Sequence, residues 1–279
     1  MTLGELFRSG VQRLSSGGND NPRFEAEQLV MHICGVSRTD ILTAPEREIS
    51  PEQCARFSQL VGRRLSGEPL QYLLGVWEFY GFPFEVGSGV LIPRQDTETL
   101  VELAEGFVDS GSTVADLCAG SGCIGIALAR LKGCRVFSFE LSEQAFGYLE
   151  RNITLNGVDK SVTPIKADVL SEQTAADAPL LNAVVTNPPY LTADDMSELQ
   201  TEVMFEPKMA LYGGDDGLEF YRRIIPLWTE RLKQGGRFAA EIGIHQQHAV
   251  GEILRACGIE PQLRNDLCGV CRVVYGIKK

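Results

Sequence analysis

The sequence has little positive charge and no long apolar run. Lysine and arginine number 26 against 37 aspartates and glutamates, which gives a formal net charge of −11. Nucleic-acid binders owe much of their affinity to neutralised phosphates, so this excess of acid argues against a direct nucleic-acid partner. No stretch reaches about 18 consecutive apolar residues, so no membrane-spanning helix is expected. The composition therefore favours a protein substrate.

The cysteines show neither a disulfide framework nor a metal site. There are eight of them, and only Cys268 and Cys271 form a C-x-x-C pair, which no second ligand pair accompanies. No metal is predicted. Residues 1–6 lack a basic region followed by an apolar one, so no secretory signal is expected. Reduced thiols and the missing signal together predict a cytoplasmic location.

The chain is predicted to form a small domain and a larger one, as its 279 residues allow. Residues 1–74 show helical periodicity, with helices opening at Asn21-Pro22 and Ser50-Pro51. Residues 76–92 alternate, with glycines at turns, and predict a linking β-hairpin at the start of a second domain, 75–279. The helical domain either docks a substrate or caps the larger domain.

A glycine-rich turn follows the first predicted strand of the larger domain. Residues 113–117 read as a buried strand, the turn Cys118-Ala119-Gly120-Ser121-Gly122 comes next, and a helix follows. Strand, glycine-rich turn and helix make the first unit of a doubly wound sheet, which predicts a nucleotide-like cofactor. Asp116, just before the glycines, would repel a pyrophosphate but could meet an ammonium group, which favours S-adenosylmethionine. The spacing of Gly120, Gly122 and Gly125 also fits a site for a nicotinamide dinucleotide, so that alternative cofactor stays open.

Acids end the next two predicted strands. Glu140 closes the strand that begins at residue 135, where its carboxylate can accept from both ribose hydroxyls. Asp168 closes the third strand, 162–167, and is the predicted partner of an adenine amine, beside Val169. Because ligands of open α/β sheets bind outside the carboxyl ends of the strands, these acids are expected at one site.

The fourth strand, 181–186, ends in Asn187-Pro188-Pro189-Tyr190. The two prolines have φ near −65° and no N–H to donate, so the turn is stiff and extended. It offers two acceptors, the Asn187 side-chain oxygen and the Pro188 carbonyl, to one planar NH₂ group, and Tyr190 adds an aromatic face. The turn therefore predicts a grip on an amide or an exocyclic amine.

This series of motifs resembles the S-adenosylmethionine-dependent methyltransferases that act on planar nitrogen. Segments outside it resemble release-factor glutamine methyltransferases in particular and cover nearly the whole chain: 67–72 (GEPLQY), 78–81 (EFYG), 91–98 (LIPRQDTE) and 206–218. Gln95, Cys118-Ala119 and Val169 depart from the residues usual in that family.

The resemblance implies an α/β fold with a Rossmann-like, seven-stranded methyltransferase sheet, a small all-helical N-terminal domain and a linking β-hairpin. A helix from about residue 216 is expected to end at Gly235-Gly236, and two last strands near 259–263 and 270–277 are expected to form an antiparallel edge. The resemblance also implies a protein substrate docked by residues 1–74. We expect a monomer.

The predicted site residues form two sets. The cofactor-binding set contains Asp116, Cys118, Ala119, Gly120, Ser121, Gly122, Glu140, Asp168, Val169 and Asn187. The substrate-binding set is Asn187, Pro188, Pro189 and Tyr190, of which Asn187, Pro188 and Tyr190 are expected to be catalytic.

The leading functional hypothesis is methylation of the glutamine side chain in the Gly-Gly-Gln motif of peptide-chain release factors. A second hypothesis is a related enzyme that methylates a glutamine of a ribosomal protein. The third is an adenine-amine methyltransferase of DNA or RNA, because the same turn can hold an exocyclic NH₂. The acidity of the chain and the lack of a target-recognition domain argue against the third hypothesis.

Overall fold

A computed structural model describes all 279 residues, which divide into two compact units. One contains residues 1–76 together with the segment Gln200–Phe205, and the other contains residues 77–199 and 206–279. No helix in the structure is long and apolar enough to span a membrane.

The first unit is helical. Its helices are α1 (Leu3–Ser16), α2 (Pro22–Cys34), α3 (Arg38–Thr43), α4 (Pro51–Leu65) and α5 (Leu70–Leu74), and Gln200–Phe205 adds a 3₁₀ turn at Val203–Phe205. Thr2, Ser37 and Ser50 begin α1, α3 and α4 with capping boxes, which pair the first free N–H groups of each helix. The apolar faces of the five helices form a core of their own.

A buried ion pair crosses the helical unit. The Arg64 guanidinium on α4 donates to both carboxylate oxygens of Glu25 on α2, at 2.6 and 2.9 Å, and also to Glu202. A buried arginine needs such partners because an unpaired charge is costly away from water. Arg64 therefore ties the segment Gln200–Phe205 to the helices.

The second unit begins with the predicted hairpin, which is shorter than expected. Strands β1 (Val76–Phe79) and β2 (Phe82–Glu85) pair around a turn at Tyr80 and Gly81, both with positive φ. Such a two-residue turn suits the twist of a hairpin. Residues 86–92 form no strand, and a 3₁₀ turn (Gln95–Thr97) then leads into α6 (Glu98–Glu105).

The remaining elements build the predicted α/β layers. The strands are β3 (Thr113–Leu117), β4 (Arg135–Glu140), β5 (Val162–Lys166), β6 (Leu181–Thr186), β7 (Leu232–Glu241), β8 (Gln262–Asn265) and β9 (Cys271–Ile277). The helices are α7 (Cys123–Lys132), α8 (Glu143–Leu155), α9 (Glu172–Asp177), α10 (Ala193–Ser197), α11 (Glu219–Glu230) and α12 (Gln247–Ala256), with a 3₁₀ turn at Lys208–Ala210.

The seven strands form one sheet in the order β5-β4-β3-β6-β7-β9-β8. Neighbours from β5 to β7 are parallel, whereas β9 is antiparallel to β7 and to β8. The seven-stranded sheet and its antiparallel edge are thus confirmed. The strand order reverses between β3 and β6, and this reversal opens the crevice in which such sheets bind ligands.

One predicted boundary is wrong. The helix α11 ends at Glu230, before Gly235-Gly236, and both glycines lie inside β7. Leu232 pairs with Leu181, but the next pair is Arg237 with Ala183, so the residues between form a bulge in which Gly235 has φ +76°. The glycines permit this bulge, which the sequence did not distinguish from a helix end.

Candidate active site

An open cleft lies at the carboxyl ends of β3, β4 and β6, and its empty space of about 910 Å³ includes the solvent at its mouth. Leu117 and Thr186 are partners in the parallel register, so the residues that follow them leave the sheet at the same level. Nine predicted site residues line the cleft: Cys118, Ala119, Gly120, Ser121, Glu140, Asp168, Val169, Asn187 and Pro189.

The glycine-rich turn forms one wall of the cleft. Cys118, Gly120 and Gly122 have φ of +58°, +56° and +82°, so the chain takes a left-handed conformation three times in five residues. That conformation favours glycine, so Cys118 adopts a backbone that residues with a side chain rarely take. A Cβ built on Gly120 would meet no atom within 4 Å. The backbone of Gly120 is therefore open to a ligand.

Glu140 closes this wall from the end of β4. One carboxylate oxygen accepts the N–H of Gly120 at 2.8 Å and the other accepts the N–H of Ser142 at 2.7 Å. Burial raises the pKa of Glu140, and these two backbone hydrogen bonds oppose that rise. Each oxygen can accept more than one hydrogen bond, so the carboxylate can brace the turn and still accept from a ligand's hydroxyls.

Asp116 lies beneath the turn and does not line the cleft. Asp116 is fully buried. One of its carboxylate oxygens accepts from the N–H of Gly125 at 3.0 Å and from the hydroxyl of Ser138 at 3.4 Å. The other carboxylate oxygen has no hydrogen-bond partner. Burial raises its pKa to about 7. Asp116 thus supports the start of α7 from below, and its contact with a cofactor stays a prediction. Gly122 likewise begins α7 and does not line the cleft.

Asp168 and Val169 form the far side of the cleft. Asp168 is exposed, and one of its carboxylate oxygens accepts the N–H of Leu170 at 2.8 Å. Val169 is buried, and its carbonyl accepts the indole N–H of Trp228 at 2.8 Å. Trp228 also packs edge-on against Phe139, which lines the cleft floor. This side therefore offers an apolar slot with one acid at its rim.

The Asn187–Tyr190 turn faces the glycine-rich turn, with Asn187 and Pro189 on the cleft wall. The Asn187 side-chain oxygen and the Pro188 carbonyl have no hydrogen-bond partner within the protein. A Cβ on Gly213 would stand 2.6 Å from the Tyr190 Cα and 2.7 Å from the Pro189 carbonyl oxygen. The backbone of Gly213 therefore packs directly behind the turn and keeps it in place.

Two candidate functional residues, Thr97 and Glu241, were not predicted from the sequence. Thr97, within the 91–98 segment, lines the cleft and accepts from the Asn187 side-chain N–H at 3.2 Å. Glu241, at the end of β7, is buried, and one of its carboxylate oxygens accepts from the Tyr190 hydroxyl at 3.4 Å. An acid at the end of a further parallel strand was the signal that could have pointed to Glu241.

Burial is the main cause of the shifted pKa values of Glu241 and Tyr190. It raises the pKa of Glu241 to about 7, although the nearby Thr97 hydroxyl and the charge of Arg272 oppose the rise. Burial and the nearby Glu241 also raise the pKa of the Tyr190 phenol, which is thus a neutral donor at neutral pH. Tyr190 itself is not among the residues that line the cleft.

The 91–98 segment is held from the other rim. The Arg94 side chain lines the cleft and forms an ion pair with Glu206, which also accepts the N–H of Ile92 at 3.0 Å. Glu98 accepts the N–H of Tyr80 at 2.8 Å and so fixes the hairpin turn. The segment is therefore anchored at both ends, with Thr97 between the anchors.

Two family models match this chain, one in its helical part and one in its α/β part. A family model described as the PrmC N-terminal domain matches residues 5–75, and one described as the TRM5/TYW2 methyltransferase domain matches residues 94–203. Among solved structures, the hMettl16 catalytic domain, in complex with MAT2A 3′UTR hairpin 6, has a TM-score of 0.57 at 16% identity, over 81% of this chain and 82% of that one. A methyltransferase from Pyrococcus furiosus has a TM-score of 0.54 at 15% identity, over 82% and 99%. These structures show the fold.

Sequence relatives are more specific. A release factor glutamine methyltransferase from Moorella thermoacetica is 40% identical, over 92% of this chain and 91% of the relative. Another protein of that name, from Geobacter sulfurreducens, is 38% identical over 94% and 92%, and a third, from Koribacter versatilis, is 34% identical over 100% and 99%. The chain therefore belongs to the release factor glutamine methyltransferase family and is an S-adenosylmethionine-dependent methyltransferase.

Proposed function

We propose that this enzyme methylates the side-chain amide nitrogen of the glutamine in the Gly-Gly-Gln motif of peptide-chain release factors. The observation that carries the proposal is the pair of unpartnered acceptors on adjacent residues, the Asn187 side-chain oxygen and the Pro188 carbonyl. Asn187 lines the cleft, whereas Pro188 is buried directly behind that wall and is not among the lining residues. A primary amide has two N–H donors in one plane, and two neighbouring acceptors match them. The names of the relatives supply the class of substrate.

The cleft suits S-adenosylmethionine. Glu140 accepts from the ribose hydroxyls, Asp168 meets the adenine amine, and the apolar side at Val169 and Phe139 receives the adenine ring. The open space beside the backbone of Gly120 lets the ligand approach closely. Cys118, Ala119 and Ser121 complete that wall, while Asp116 and Gly122 hold its shape from behind. The cofactor supplies an electrophilic methyl group on a sulfonium sulfur.

On the substrate side, Asn187 and Pro188 promote the reaction by orienting the amide nitrogen. The lone pair of an amide nitrogen is delocalised into its carbonyl, so the nitrogen is a poor nucleophile. Asn187 and Pro188 accept hydrogen bonds from its two N–H groups, which fixes the direction of the nitrogen and stabilises the positive charge that builds on it during methyl transfer. Orientation of this kind lowers a barrier by up to roughly 7–11 kcal/mol. Tyr190 and Pro189 stiffen the turn. No strong base is required, because the nitrogen becomes acidic once methylated and releases one proton to water.

Residues 1–74 are proposed to dock the release factor. They form helices with a core that contains none of the cleft residues, which supports a role in binding rather than in chemistry. We further propose that the enzyme acts as a monomer in the cytoplasm, where release factors function. The acidic net charge of −11 supports a protein substrate over a nucleic acid.

Methyl-labelled cofactor tests the substrate. The full-length enzyme is incubated with a release factor, with the same factor carrying a glutamine-to-alanine change in its Gly-Gly-Gln motif, with ribosomal proteins, with DNA and with RNA. Label is expected in the intact release factor alone, on the glutamine amide by mass spectrometry. Label in a ribosomal protein or in adenine, with none in the release factor, would replace the proposal by one of the other two hypotheses.

The docking role has its own test. A fragment of residues 1–76, which contains the whole helical core, is added as a competitor. It should inhibit methylation of the intact release factor and leave methylation of a Gly-Gly-Gln peptide unchanged, because only the intact factor would use the docking surface. Equal rates with and without a fragment that circular dichroism shows to be helical would reduce the helical unit to a stabilising cap.

A further inference from the structure

Two prolines leave the Asn187–Tyr190 turn with few groups by which the rest of the protein can hold it. Pro188 and Pro189 have no backbone N–H, so this stretch can be held only through carbonyls and side chains. The Pro188 carbonyl has no hydrogen-bond partner in the protein, and the function proposed above assigns it to the substrate. An anchor that leaves Pro188 free has to bind the turn at another atom.

Gln246 provides such an anchor at the Tyr190 carbonyl. The Gln246 side-chain nitrogen donates to the Tyr190 carbonyl oxygen at 3.0 Å and to the Gly217 carbonyl oxygen at 3.3 Å. The Gln246 side-chain oxygen accepts the backbone N–H of Gly243 at 2.9 Å. One amide thus joins three segments of the chain: the turn after β6, the loop before α11 and the residues after β7.

Only one orientation of the Gln246 amide satisfies these three groups. A backbone N–H can only donate, and a backbone carbonyl can only accept. If the amide were turned over, its NH₂ group would face the N–H of Gly243, and its oxygen would face the carbonyls of Tyr190 and Gly217. The backbone therefore fixes the direction of this amide, and no titratable group takes part in any of the three hydrogen bonds.

The backbone of Gln246 is held on both sides as well. Its N–H donates to the Gly243 carbonyl at 3.2 Å, and its carbonyl accepts the N–H of Val250 at 3.0 Å in the first turn of α12. Val250 is buried in the apolar core of the α/β unit. Gln246 therefore connects the Tyr190 carbonyl to the core of that unit.

Two glycines make the room that the Gln246 side chain occupies. A Cβ on Gly217 would collide with the Tyr190 carbonyl oxygen and with the Gln246 side-chain nitrogen. A Cβ on Gly243 would stand 3.0 Å from the Gln246 side-chain oxygen and 3.1 Å from the Tyr190 ring atom Cδ2. The backbone thus packs closely around this amide on two sides, which leaves the Tyr190 carbonyl little freedom to move while the amide is present.

We propose that Gln246 is a positioning residue for methyl transfer, which fastens the Tyr190 carbonyl to the end of β7 and so holds the whole turn in place. The two acceptors of the turn, on Asn187 and Pro188, then keep the geometry that the substrate amide needs. Gln246 does not line the cleft, so it acts through the turn and contacts neither the substrate nor the cofactor. The kinetic part of this inference rests on the proposed function, whereas the anchoring of the turn does not.

Two substitutions test the anchor kinetically. Gln246→Met replaces the amide by an apolar group of similar length and removes all three hydrogen bonds. Gln246→Glu, assayed at about pH 8.5 where the carboxyl is ionised, keeps an oxygen for the N–H of Gly243 and removes only the bonds donated to the two carbonyls. Both variants should lower kcat by roughly five- to a hundredfold, while the cofactor Kd and the KM for the release factor stay within about threefold. Wild-type kcat in either variant would overturn the proposal.

Asn156→Leu is the matched control that separates positioning from general damage. The Asn156 side-chain nitrogen also donates to two backbone carbonyls, those of Pro83 at 2.9 Å and Asn152 at 3.0 Å, and Asn156 does not line the cleft. Because Asn156 is buried, this variant should lose at least as much thermal stability as Gln246→Met, yet keep kcat within about twofold of the wild type. An equal fall in kcat in both variants, assayed well below their unfolding temperatures, would mean that Gln246 only stabilises the fold.

Hydrogen exchange, measured by nuclear magnetic resonance, tests the anchor without any substrate. Just after the turn, the N–H of Leu191 donates to the Leu211 carbonyl at 2.9 Å, and the N–H of Gly213 donates to the Leu191 carbonyl at 2.8 Å. Both N–H groups should exchange faster in Gln246→Met and keep the wild-type rate in Asn156→Leu. Unchanged exchange in Gln246→Met would overturn the anchor. Absence of release-factor methylation by the wild type, together with the expected exchange pattern, would overturn only the proposed substrate.

Discussion

The Glu140 carboxylate accepts the backbone N–H of Gly120 at 2.8 Å, so the acid that ends β4 also holds the glycine-rich turn that follows β3. The two strands are parallel neighbours, and Asp116 and Leu117 pair with Ser138 and Phe139 just before these residues. The acid proposed to bind ribose is thus also part of the wall that surrounds the ligand. Substitutions at Glu140 will therefore affect both the binding of the ribose and the shape of the glycine-rich turn.

Glu140→Ala is expected to weaken S-adenosylmethionine binding at least tenfold. The variant loses hydrogen bonds from the ribose hydroxyls, each worth roughly 1.5–3 kcal/mol at a charged acceptor, and it also frees the N–H groups of Gly120 and Ser142. Isothermal titration calorimetry measures the effect. Glu143→Ala is the control, because this acid lies three residues on and its side chain is largely exposed. Unchanged affinity in Glu140→Ala would sink the ribose assignment.

Asn187→Ala is expected to retain most cofactor binding and to lose turnover by roughly 10² or more, because the lost acceptor mainly orients the nucleophile. Asn187→Asp keeps an oxygen toward the cleft but turns a second oxygen toward Thr97, so it should retain part of the rate. Single-turnover methylation and calorimetry on the same preparations separate the two effects. Turnover of the alanine variant at the wild-type level would refute the proposed grip.

Gly213→Ala is expected to lower turnover without unfolding the chain. The added Cβ would stand 2.6 Å from the Tyr190 Cα, and because the obstacle is backbone, the Asn187–Tyr190 turn must shift. Gly62→Ala is the matched control: it lies inside α4, a Cβ there meets no atom within 4 Å, and it should stabilise the chain by about 0.5–1 kcal/mol. Thermal unfolding and kcat are measured for both. Full activity in Gly213→Ala would show that the turn tolerates displacement.

Asp116→Asn is expected to flatten the dependence of stability on pH. Burial raises the folded-state pKa of Asp116 to about 7 from an ordinary value of 3.8. The folded protein thus binds this proton more tightly than the unfolded chain, so the stability that the group contributes is fully present below its unfolded pKa and is lost as the pH rises through its folded pKa. Asparagine does not titrate and can still accept from the N–H of Gly125.

Urea unfolding of the cofactor-free protein at about pH 5 and about pH 8 measures this effect. Between these two pH values the free energy of unfolding should fall less in Asp116→Asn than in the wild type, by an amount on the order of 3 kcal/mol. Glu241, whose pKa burial also raises to about 7, leaves part of the fall in place. An identical fall in wild type and variant would mean that Asp116 titrates normally in the folded state.

Local patterns in the sequence determined the elements that bear the site. The apolar runs that end at Leu117, Glu140 and Thr186 are strands in the structure, and the polar residues at or just after their ends meet at one edge because parallel strands point the same way. The helix start predicted at Ser50-Pro51 is observed as well, since Ser50 caps α4. These features depend on neighbours within a few residues, so the sequence was sufficient to predict them.

Tertiary structure alone decided which distant residues support that site. Thr97 and Glu241 lie 90 and 51 residues from their partners Asn187 and Tyr190, and only the register of β6 against β7 and the path of the 91–98 segment bring them together. In the same way, nothing in the sequence grouped Gln200–Phe205 with the helical unit or placed Asp116 beneath the cleft wall. Contacts between residues far apart in the chain form only when the whole domain packs, because no local pattern records which buried groups will become neighbours.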